Sequence, residues 1–227
     1  MKKRLSLLPL ALIPVLIVLG TVIANGKYLL YFGYGVAMLA LGAFFLTFEK
    51  KENDTLRLVI LAVTVALSSA GRVLFAALPA FKPVSALTVL AGMWFGGEAG
   101  FLVGALSALL SGFYFGLGPW LPFQMLSWGL IGLFAGLFRK PLKKSLPLLC
   151  VYGAAAGALY SLMMDVFMAV WKDGGLTAKN LLLYFTASLP TTAVYLVSNV
   201  VFLLLLRKPV GNAFERVITK YGMEETE

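Results

Sequence analysis

Histidine is absent from this chain of 227 residues, and cysteine occurs once, at Cys150. The first absence removes Ser-His and Cys-His nucleophilic catalysis and histidine-rich metal sites in one step. The second excludes an internal disulfide and leaves Cys150, inside an apolar run, as a small packing residue. Charge is scarce as well: 13% of residues are charged, against 60% hydrophobic. A soluble domain of this length needs more charged surface, because it cannot enclose so many apolar side chains. No Gly-Lys-Ser/Thr phosphate loop occurs, which excludes ATP hydrolysis by that route. Paired-acid metal motifs are missing too, and Asp165 has no second membrane aspartate beside it in sequence for intramembrane proteolysis. The sequence thus calls for neither an enzyme nor a cofactor.

Apolar length is what the chain does have. A spanning helix needs about 20 mostly apolar residues, and such runs fall at roughly 6–25, 28–48, 56–78, 84–96, 99–115, 122–138, 146–170 and 180–206. The run at 84–96 is short for a bilayer and reads either as a short span or as a re-entrant piece covered by its neighbours. Met1-Lys2-Lys3-Arg4 ahead of an apolar run looks like a signal peptide. No small-residue cleavage site appears between Val22 and Gly26, however, and another run follows, so the segment reads as a retained first helix. The expected fold is an all-α integral membrane protein.

The net charge of +9 is distributed by side rather than in a nucleic-acid-binding patch. If every run crosses, one side receives Lys2, Lys3, Arg4, Lys50, Lys51, Arg57, Arg139, Lys140, Lys143, Lys144, Arg207, Lys208, Arg216 and Lys220. The other side receives Lys27, Lys82, Lys172 and Lys179. Loops rich in Lys and Arg face the cytoplasm, which predicts a multi-pass protein of the cell membrane with both termini cytoplasmic.

Polar residues inside the runs are the candidates for function. Arg72 lies well within the third run, where a charge costs roughly 2.5–3.5 kcal/mol on insertion scales. It either snorkels to the outer interface, pairs with Asp165 at a similar depth in the seventh run, or meets a ligand. Trp120, Trp128 and Trp171 form an outer aromatic belt or, with Tyr114, Phe115 and Gln124, line an outward-facing pocket. Lys82 stands in the outer turn Pro79-Ala80-Phe81-Lys82-Pro83. Glu98 opens a helix after Gly96-Gly97, where the helix dipole suffices to account for it. Small residues recur every fourth position at Ala62, Ala66 and Ala70, at Gly100 and Gly104, at Gly132 and Gly136, and at Gly153 and Gly157. Such spacing permits close helix contact, within the chain or with a partner.

From about Val59 to Leu137 the sequence resembles the substrate-binding (S) components of energy-coupling factor (ECF) transporters, bacterial vitamin importers. The resemblance is carried by Ala62-Val63-Thr64-Val65-Ala66-Leu67-Ser68-Ser69-Ala70-Gly71-Arg72 and Lys82-Pro83-Val84-Ser85-Ala86. It continues through Gly96-Gly97-Glu98-Ala99-Gly100-Phe101-Leu102-Val103-Gly104-Ala105 and Gly118-Pro119-Trp120-Leu121-Pro122-Phe123-Gln124-Met125. It implies a six-helix core, here over 55–208, that binds a vitamin at its outer end. The two runs before it depart from the family pattern as an extra N-terminal helical hairpin over 1–50, and the polar end reads as a cytoplasmic tail over 209–227. The resemblance carries a partner as well. It further implies docking onto a membrane scaffold subunit with two ATPase subunits, and toppling of the bundle to carry the ligand across. The family's Ala-x-x-x-Ala docking stripe maps onto Ala62 and Ala66, with Ala70 extending it. Ligand contacts are expected from Arg72, Lys82, Tyr114, Trp120, Gln124 and Asp165. The Gly-Pro-Trp loop looks most like that of cobalamin-type members, and is equally compatible with a flavin or another planar vitamin. Two other readings stand beside this one. A self-sufficient secondary permease for a small organic solute would need intramembrane carboxylates, of which Asp165 alone is available. A membrane enzyme acting on lipid would need catalytic groups that the chain lacks.

Overall fold

The computed structural model describes residues 55–174 and 176–222. The hairpin expected over 1–50 and the end of the tail lie outside the described residues. The helices are α1 (Thr55–Leu74), α2 (Val84–Phe95), α3 (Gly97–Phe115), α4 (Leu121–Leu137), α5 (Arg139–Lys144), α6 (Leu146–Asp173) and α7 (Ala178–Lys220). Four of them, α1, α3, α6 and α7, are long and apolar enough to cross a membrane, while α2 and α4 are shorter apolar helices. Local sequence sets the ends. Ser145 accepts a hydrogen bond from the Leu148 N–H at the start of α6, and Thr177 with Asn180 forms a capping box on α7. Gly174 closes α6 in the left-handed conformation that glycine adopts without strain.

Helix α2 is the centre of the bundle. All twelve of its residues are buried, and it touches every other described helix. At about 1.5 Å per residue it rises only about 18 Å, far less than the hydrocarbon core. Protein therefore takes the place of lipid around it, and cover by its neighbours belongs to the second of the two readings that the short run at 84–96 allowed. The glycine spacings explain how its neighbours close in. A Cβ at Gly132 would fall on the backbone of Gly100, one at Gly104 on the Trp128 carbonyl, and one at Gly136 on Gly97. Gly92 of α2 meets the Gly132 carbonyl in the same way. These glycine pairs hold α2, α3 and α4 backbone to backbone. Gly153 and Gly157 serve the seam between α6 and α7, against Leu203 and Tyr195-Leu196. Ala62, Ala66 and Ala70 behave differently: all three are exposed on α1.

Residues from Pro209 onward, expected as a short cytoplasmic tail, continue α7 to Lys220. The cause is packing. Gly211 lies against the Trp94 indole, and Phe214 meets the Phe95 ring edge-on at 4.8 Å. Trp94 Nε1 donates to Glu215 at 3.3 Å, and Lys143 Nζ stands 5.2 Å over the indole. At 43 residues α7 is about 65 Å long, so it must run beyond any hydrocarbon layer. The two ends of the bundle therefore differ. The end of α2 at Trp94 carries Arg57, α5, Arg207 and the last turns of α7. The other end carries Arg72, Lys82 and the aromatic residues described next.

Gly132→Ala is expected to destabilise the fold by about 1–3 kcal/mol, since the added methyl has only backbone to displace. Thermal unfolding in detergent measures it, and an unchanged midpoint would show that the α3–α4 contact is looser than described. 

Candidate functional site

Where α2 begins, short of its neighbours, a small cavity opens. It is lined by Arg72, Ala80, Lys82, Val84, Ser85, Trp128, Tyr160, Tyr195 and Asn199. Residues of α1, α2, α4, α6 and α7 thus converge on one space, together with the turn from Phe75 to Pro83. That turn is held tightly. The Lys82 N–H donates to Ser198 Oγ at 2.9 Å, and its ammonium donates to the Phe75 and Leu78 carbonyls at 3.0 and 3.2 Å, closing the C-terminal end of α1. Ala80 sits at φ 60°, a conformation that costs an L-residue roughly 1–2 kcal/mol. The strain falls at the cavity wall, where such strain tends to concentrate.

Arg72 is only 7% exposed. Its guanidinium donates to Ser111 Oγ at 2.6 Å and to Gln124 Oε1 at 3.3 Å, while Nε has no partner. Aromatic faces flank it, Phe115 at 4.6 Å and Trp128 at 4.8 Å, and ring quadrupoles replace part of the hydration lost on burial. Trp128 in turn stacks on Tyr160 at 4.8 Å and 17°, and Tyr160 meets Tyr195 edge-on at 4.9 Å. Gln124 Nε2 donates to the Tyr160 hydroxyl at 3.1 Å, so Gln124 fixes both Arg72 and the ring ladder. Lys82 Nζ lies 5.4 Å over Phe115. Burial, and next the neighbouring Arg72 charge, hold its ammonium below the usual lysine range.

The alternative Arg72–Asp165 pair does not form among the described residues. Asp165, also buried, accepts from Ser188 Oγ at 2.7 Å across the α6–α7 seam. Ser188, Thr192 and Ser161 continue that polar strip, near Pro190 of α7. Of the residues expected from sequence, Arg72 and Lys82 line the cavity and Gln124 stands directly behind it. Asp165 does not line it. Tyr114 and Trp120 are exposed at the same end, Tyr114 against Phe115 and Trp120 over Gly118. Sequence reasoning passed over Ser85, Tyr160, Tyr195 and Asn199. Asn199 carried a readable signal, an amide inside the last apolar run; it donates to the Gly153 carbonyl at 3.1 Å.

A profile of the ECF-type riboflavin transporter S component family matches residues 52–211. The chain belongs to that family. Comparison with curated proteins and with solved structures gives no significant match. This S component is accordingly a substrate-binding subunit of an ECF transporter, a multi-pass membrane protein and not an enzyme. Membership implies a vitamin as substrate and an ECF scaffold with its ATPase module as partners. Among the described residues the bundle presents an aromatic cavity with a few fixed polar groups.

The geometry separates two buried polar sites by their expected behaviour. Trp128→Ala removes the ring that contacts Arg72 and Tyr160 together, and should weaken vitamin binding by at least about tenfold. Asp165→Asn should lower the thermal midpoint, by about 1–2 kcal/mol of stability, while changing affinity less than about threefold. Titration of both variants checks this, and a large affinity loss in Asp165→Asn would move the binding site to the α6–α7 seam.

Proposed function

We propose that this S component binds a vitamin of the flavin class in the cavity at the start of α2 and passes it to a scaffold subunit carrying two ATPase subunits. The observation that carries the reading is the cavity itself, with its run of Trp128, Tyr160 and Tyr195 beside Arg72, Lys82 and Asn199. Aromatic walls suit a planar ring system, and a few placed donors fix its orientation. Two points favour a flavin over the corrinoid considered from the Gly-Pro-Trp loop. The matched family takes its description from riboflavin. The cavity is small, and a planar tricyclic ring requires less widening of it than a corrinoid macrocycle with its side chains, which is far larger. In this reading Arg72, Lys82, Asn199 and the ring ladder touch the vitamin, and Gln124 positions them.

The cavity end faces outward in this proposal. Arg57, Arg139, Lys140, Lys143, Lys144, Arg207, Lys208, Arg216 and Lys220 gather at the opposite end, which the positive-inside rule assigns to the cytoplasm. The exposed Ala62, Ala66 and Ala70 on α1 then form the docking stripe, where small residues permit close and reversible helix contact. A self-sufficient permease finds less support, because the one buried carboxylate among the described membrane helices is bonded to Ser188, away from the cavity.

The purified protein is expected to carry a flavin in near one-to-one amount, identified by mass spectrometry and by its visible spectrum. A corrinoid instead would keep the transport role and replace the ligand. Protein that neither carries a vitamin nor gains thermal stability from a vitamin panel would remove the reading, because tight binding must stabilise the fold. Ala66→Leu tests the stripe separately. It should abolish co-purification with the scaffold while leaving vitamin affinity within about threefold, since Ala66 does not line the cavity; retained co-purification would exclude this face as the docking surface.

A further inference from the structure

We infer that the ligand enters this cavity as an anion, its negative oxygen group held between Arg72, Lys82 and the N-terminus of α2. The inference deepens the proposed vitamin-binding role and rests on it. Three independent features supply positive potential to one space. Arg72, more than nine-tenths buried, lines the cavity, and its guanidinium is hydrogen-bonded to the neutral side chains of Ser111 and Gln124. Lys82 borders the same cavity, and its ammonium is bonded only to neutral carbonyls. Val84 and Ser85, the first residues of α2, complete that wall. Helix N-termini present free N–H groups and a partial positive charge, a ready site for phosphate or carboxylate oxygens.

Negative charge is missing from the same place. The carboxylates among the described residues are Glu98, Asp165, Asp173 and Glu215, and none lines the cavity. Asp165 is engaged by Ser188 and Glu215 by Trp94 at the far end of α2. Ser111, Gln124 and the flanking rings give Arg72 neutral partners alone. Two cations brought together at low dielectric without an acid repel each other, and an anionic ligand removes that penalty. A neutral ring would gain only dipolar contacts from the same groups. Within the flavin class, the feature that meets this demand is a phosphate monoester on the side chain; outside it, a planar aromatic carboxylate does so.

Ligand-free protein titrated with riboflavin, with flavin mononucleotide and with nicotinate tests the inference. Flavin mononucleotide should bind at least about tenfold more tightly than riboflavin. Raising the salt concentration from about 0.05 to about 0.5 M should erode that preference at least about threefold by screening, in the wild-type protein and without any substitution. Lys82→Gln should shrink the preference, read as the ratio of the two affinities in that variant, to less than about threefold. Riboflavin binding as well as the phosphorylated form, with no dependence on salt, overturns the anion inference and leaves the flavin reading standing. Salt-sensitive binding of nicotinate with neither flavin bound supports the anion inference and removes the flavin reading. If none of the three binds, both fall.

Discussion

The arrangement depends on one constraint: α2 is too short to span a bilayer, so its neighbours must enclose it on every side. An exposed twelve-residue segment would leave its terminal N–H and carbonyl groups facing hydrocarbon, where each unsatisfied group is costly. Enclosure solves this and shapes both ends of the bundle. At one end the helices around α2 overshoot it and leave a cavity over its first turn. At the other, Trp94 and Phe95 form a platform onto which the last turns of α7 fold. The cavity and the docked tail are two results of the same length mismatch.

Electrostatics reinforces the asymmetry. Arg72 is placed at a depth where an isolated charge is unfavourable, and the fold answers with rings and neutral acceptors rather than a carboxylate. Cation–π contacts of this kind are worth roughly 0.5–2 kcal/mol each, less than a buried charge needs. The remainder of the compensation is left for whatever occupies the cavity. Asp165, the acid whose depth made it the obvious partner, is satisfied by hydroxyls of a different seam.

Much of this was legible in the sequence because hydrophobic length and charge segregation act locally. The runs at 84–96, 99–115 and 122–138 correspond to α2, α3 and α4 within about three residues, since Gly96, Gly116 and the Gly-Pro-Trp loop interrupt them sharply. The four-residue glycine spacings identified helix contacts, though only the fold reveals that Gly100 faces Gly132. Arg72, Lys82 and Gln124 stood out because polar groups in apolar runs are rare. Tyr160 and Tyr195 did not, since a tyrosine in a membrane segment looks like any aromatic side chain until its ring is seen stacked on Trp128. The packing of α7 past Pro209 was hidden for a related reason. Mixed polarity beyond Lys208 looks like a solvated end, whereas Gly211 and Phe214 pack onto Trp94 and Phe95, more than a hundred positions earlier in sequence.

The glycine seam joining α2, α3 and α4 has a thermodynamic consequence. Interfaces made by long side chains hold rotameric freedom that can be surrendered or regained as neighbours move. Where backbone lies on backbone, as at Gly92, Gly100, Gly132 and Gly136, there are no rotamers to trade and no soft atoms to compress. The three central helices therefore respond as one stiff block. Any rearrangement between empty and loaded states is borne by α1, α6 and α7, whose seams are built from serine, threonine, leucine and tyrosine side chains that can turn.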